Sequence, residues 1–100
     1  MPNSKIELFE KLLLSEEGLL IKLRLGKGLD RVKYDSICYL LEELAAEWKG
    51  IDTIPKKAAE LFVDLYPAMD ATSYQYKNDE AIIIKEAADK LISLIRDCCI

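Results

Sequence analysis

Trp48-Lys-Gly-Ile-Asp-Thr-Ile-Pro55-Lys-Lys-Ala-Ala-Glu-Leu-Phe62-Val-Asp-Leu-Tyr-Pro67-Ala-Met-Asp-Ala-Thr-Ser-Tyr74-Gln-Tyr76 is the stretch whose reading decides the fold. It holds five of the eight aromatic residues of the chain, so most of the large apolar surface must be placed from here. Ala58, Leu61, Phe62, Leu65 and Met69 recur at helical spacing and form one stripe. Ala59, Val63 and Tyr66 form a second stripe beside it, which leaves Lys56, Lys57, Glu60 and Asp64 for water. A helix apolar over that much of its circumference is either internal or half of a binding surface. Thr53 serves as its expected cap, and Pro55 fits the first turn, where a missing amide costs little. The helix is expected to stop before Pro67, leaving a long loop over 67–78 that carries Tyr74 and Tyr76 across the end of the fold.

The chain upstream reads as two more helices. Ser4 and Glu7 have the spacing of a capping box, and Ile6, Phe9, Leu12, Leu13, Leu20 and Leu23 share one face of a helix expected over 5–25. A break in it is admissible at 15–18, and Gly26 provides a left-handed end. Asp30 caps the next helix, in which Tyr34, Ile37, Cys38, Leu41, Leu44, Ala45 and Trp48 recur at three and four and Gly50 terminates. Asp35, Glu42, Glu43 and Glu47 occupy its other side. Downstream, Ile84, Ala87, Ala88, Leu91, Ile95 and Cys98 face inward on a helix expected over 79–98. Leu41, Leu44, Phe62, Leu65, Leu91 and Ile95 lie mid-stripe and are the expected core.

Four helices with short connections predict an all-α, antiparallel, four-helix bundle-like single domain. The alternative is an α+β fold with a small hairpin at 19–34. There Ile21, Leu23 and Leu25 alternate with Lys22 and Arg24 ahead of the turn residues Gly26-Lys27-Gly28. An isolated hairpin is marginal and no other segment reads as a strand, which favours the helix.

Composition narrows the function classes. No apolar run approaches the roughly 20 residues needed to span a bilayer, and acids at Glu7 and Glu10 are unlike a signal peptide. Cytoplasmic residence is the expectation, with no membrane partner. Cys38, Cys98 and Cys99 are oddly numbered for a disulfide framework, and without histidine they make no zinc site. The absence of histidine also denies a Ser or Cys nucleophile its usual base and a carboxylate bundle its di-iron ligands. No catalytic, cofactor-binding or metal-ligating residues are assigned, and no enzyme activity is expected.

Net charge is −4, which argues against nucleic acid as a general partner. The charge is uneven: Lys22, Arg24, Lys27, Arg31 and Lys33 against Asp30 make 22–33 a +4 segment, leaving −8 elsewhere. Those five bases are a candidate anion-binding set around Gly26 and Gly28, although Leu29 stands where a phosphate loop would need Lys or Ser/Thr. The expected role is non-enzymatic: a regulatory protein binding another protein, as an inhibitor or immunity-type partner, or binding itself as a homodimer. The candidate partner-binding residues are Val63, Tyr66, Tyr74, Tyr76 and Ile82. The alternative is a small-ligand binder with an apolar pocket, lined by Trp48, Phe62 and Tyr66, and an anion site at the basic turn.

Overall fold

The computed structural model describes residues 4–100. The chain forms α1 (Ser4–Leu14), α2 (Leu19–Arg24), α3 (Arg31–Glu47), α4 (Lys56–Ser73) and α5 (Asn78–Cys99), with no strand among the described residues. The architecture is an all-α, four-helix bundle-like arrangement whose first arm is split into α1 and α2. The hairpin alternative fails: 19–24 is helical, and Arg31 already belongs to the next helix.

The split has a clear cause. In an unbroken helix, Glu16 and Glu17 would fall three and four residues after buried Leu13 and be driven inward. Burying unpaired carboxylates is far costlier than interrupting a few backbone hydrogen bonds. Instead the amide of Gly18 donates to the Ser15 carbonyl at 2.7 Å, and both glutamates stay exposed. The restarted helix re-aims Leu19, Leu20 and Leu23 into the core. A Cβ on Gly18 would lie 2.5 Å from the Leu13 carbonyl oxygen, so close approach of backbone, not unusual dihedrals, requires glycine here.

Helix α2 ends as its sequence predicts. Gly26 adopts φ +78°, its amide donates to Leu23 and the Lys27 amide donates to Lys22, a Schellman closure. Asp30 caps α3 by accepting from the Lys33 amide at 3.1 Å. The six expected core residues are all buried, as is every inward-facing residue assigned to α5. Helix α5 packs against both α3 and α4, while α1 and α2 cover the remaining side of α3 and α4.

Two boundary expectations for α4 need correction. The helix begins at Lys56 with Pro55 as its extended N-cap, displacing Thr53 from that role. It then runs through Pro67 to Ser73. Proline leaves the carbonyl four residues back, that of Val63, without its helical donor. Val63 and Pro67 both lie on the exposed side, where water can take that place. Continuing the helix buries Met69, Thr72 and Ser73, and burial of a Met side chain alone contributes about 1.5–3 kcal/mol. The hydroxyls of Thr72 and Ser73 donate to the Met69 and Asp70 carbonyls at 2.9 and 2.6 Å, so neither is stranded. The loop expected over 67–78 shrinks to 74–77.

Candidate functional site

The extra turns of α4 change what the second stripe does. Val63, Tyr66, Asp70 and Tyr74 follow one another at three and four along its outer side, and Tyr74 closes the helix. On α5, which packs beside it, Ile82, Lys85 and Asp89 follow the same spacing. Val63, Tyr74 and Ile82 are 71%, 74% and 53% exposed, and Tyr66 is 36% exposed. The two rows are joined by polar contacts. The Lys85 ammonium stands 4.9 Å from the centre of the Tyr74 ring. The Asp89 carboxylate beside Tyr66 raises the phenol above its usual pKa, with partial burial and Asp70 acting in the same direction. One end of this face is therefore basic and the other acidic.

Tyr76, the fifth residue of the candidate partner set, has a different place. It is half-buried; its hydroxyl donates to the Leu23 carbonyl at 2.8 Å and accepts from the Gly28 amide at 3.0 Å. It pins the α2–α3 loop to the α4–α5 turn. Lys85 and Asp89 are not among the residues that the sequence points to; they join this face only through the packing of α5 beside α4.

The basic set of 22–33 is spread over several surroundings. Lys22 pairs with Asp30 at 2.9 Å and Glu17 at 3.5 Å. The hydrogen bond to Asp30 is the main cause raising the Lys22 pKa, and the same bond, with the Lys33 amide, lowers that of Asp30. The Lys33 ammonium donates to the Glu17 carbonyl at 2.6 Å. Arg24 lines a recess of about 350 Å³ between α2 and α4 whose charged walls are Glu10, Glu60 and Asp64. Arg31 lies 5.8 Å from the Tyr34 ring. Lys27 stands exposed between its two glycines.

Trp48, Phe62 and Tyr66 do not line a common pocket. Phe62 packs edge-on against Trp48 at 6.3 Å and against Phe9 at 5.7 Å, whereas Tyr66 points outward. A larger cleft, about 710 Å³, lies between α3 and α5. Leu29, Tyr34 and Ile84 line its apolar part; Arg31 and Lys90 stand among Asp35, Glu80 and Glu86. Burial pushes the Tyr34 phenol up to about 12 and also raises the Cys38 thiol. Cys98 is pushed up to about 11 by burial, and its thiol donates to the Leu41 carbonyl at 3.3 Å. Both buried cysteines are thus held as thiols, the unreactive form.

Among the described residues no cluster of three or more Cys, Asp or Glu side chains could hold a metal ion. No described helix is long and apolar enough to cross a membrane. No protein family, curated protein or solved structure matches this chain.

Proposed function

We propose that this chain is a non-catalytic helical module that binds another protein chain through the outer face of α4 and α5. The observation that carries the reading is that Val63, Tyr66, Tyr74 and Ile82 are exposed along the outer sides of two helices packed against each other. Exposed apolar side chains grouped on one face in this way are a mark of association, and tyrosine suits such a face by joining an apolar ring to a hydroxyl. A regulatory role, as inhibitor or immunity-type partner, is compatible with so small a binding domain and with its acidic balance.

The test is site-specific photocrosslinking in the native cell. A crosslinker at Tyr74 should yield a discrete protein adduct that Val63→Asp abolishes. The same group at Tyr39, which is exposed on α3, should not yield it. An adduct formed equally from both positions, or none from Tyr74, overturns the reading.

A second reading is favoured by the α3–α5 cleft, whose volume suits a small molecule. Arg31 is the member of the basic set that lines it, so an anionic group on such a ligand would sit there. Retained affinity for a captured ligand in Arg31→Ala or Ile84→Asn would count against that reading.

A further inference from the structure

We infer that the chain docked on the α4–α5 face is a second copy of this protein, an inference that rests on the protein-binding reading above and names its partner. Charge complementarity identifies that partner. Along the face, the Tyr74 end carries Lys85 and the Tyr66 end carries Asp89, with Asp70 midway between the two tyrosines. A partner that covers it must bring an acid to the first end and a base to the second, or leave a charge desolvated without a counterion. A two-fold axis lying in the plane of the face and running across both helices, between Lys85 and Asp89, does both. It sets Lys85 of one copy against Asp89 of the other, and the reciprocal pair follows by symmetry. The same operation lays α4 against α4 and α5 against α5 in antiparallel sense, so Tyr74 at one end meets Tyr66 at the other. Lys85 is already oriented, since the Tyr74 ring holds its ammonium. Aromatic anchors are enriched at interfaces, and the charges beside them steer the approach and fix the register.

Sedimentation velocity on the purified chain at micromolar concentration tests this directly. The wild type should sediment as a dimer. Lys85→Glu sets a carboxylate against Asp89 twice, and Asp89→Lys sets two lysines together twice, so each variant should associate about tenfold more weakly or worse. Mixed in equal amounts, the two variants should recover the dimer, because both cross-copy pairs are then opposite in sign. Circular dichroism shows whether each variant is folded; if one is not, Lys85→Gln with Asp89→Asn supplies neutral versions in which the dimer weakens less. A monomeric wild type overturns the inference, as does a dimer indifferent to both substitutions or a mixture that stays monomeric. If the pure chain is monomeric while a crosslinker at Tyr74 captures a different protein, the second copy is excluded and the protein-binding reading survives. Absence of both dimer and adduct removes both.

Discussion

Gly18 and Pro67 stand at comparable points, each near a place where the chain could stop being helical, and their outcomes are opposite. At Gly18 the helix breaks although glycine in a helix costs only about 1 kcal/mol relative to alanine. At Pro67 it continues although proline costs about 3 kcal/mol. Local propensity ranks the two the wrong way round. What decides is the fate of the flanking side chains. An unbroken helix past Gly18 would carry Glu16 and Glu17 into the core, whereas an unbroken helix past Pro67 carries Met69 in and leaves Val63 and Pro67 toward water.

The largest test of that contrast is Met69→Ala. Met69 is fully buried beyond the proline, and its truncation should lower unfolding stability by about 2–5 kcal/mol in urea titration. A loss near zero would mean that the last turns of α4 are held by something other than core burial. Next is Gly18→Ala. Its Cβ would press on the Leu13 carbonyl, and the expected loss is roughly 1–3 kcal/mol by the same titration. A neutral result would show that the turn relaxes freely, which would weaken the case for glycine by close approach. Pro67→Ala should act in the other direction. Restoring an amide for the Val63 carbonyl, less the lost stiffness of the unfolded chain, should raise stability by about 1–2 kcal/mol. A destabilised alanine variant would reverse the argument and make the proline part of the packing.

The same contrast explains which features were legible in the sequence. Stripe positions were, because burial on one side of a helix imposes a spacing that any single chain displays. Tyr34 to Trp48 and Ile84 to Cys98 were placed correctly for that reason. The end of α4 was not, because the rule that helices stop before proline looks one residue back and ignores the burial of Met69, Thr72 and Ser73 further on. The outer face was half legible. Val63, Tyr66, Tyr74 and Ile82 announced themselves as apolar surplus, but Lys85 and Asp89 look like ordinary solvated charges until α5 is laid beside α4. Tyr76 shares its stretch of sequence with the surface tyrosines. Nothing local distinguishes it, since its two partners lie 53 and 48 residues away.

That hydroxyl bears on the order of folding. Helical turns close on neighbours three or four residues apart, so most of this chain can begin to form before its ends meet. The Tyr76 clasp cannot: it needs the finished turn after α2 and the finished turn after α4 already side by side. A contact of such sequence separation is expected to form late, and interactions absent from the transition state slow unfolding. Tyr76→Phe, worth about 1 kcal/mol for the lost hydrogen bonding, should therefore speed unfolding by about fivefold in stopped-flow while leaving the refolding rate nearly unchanged.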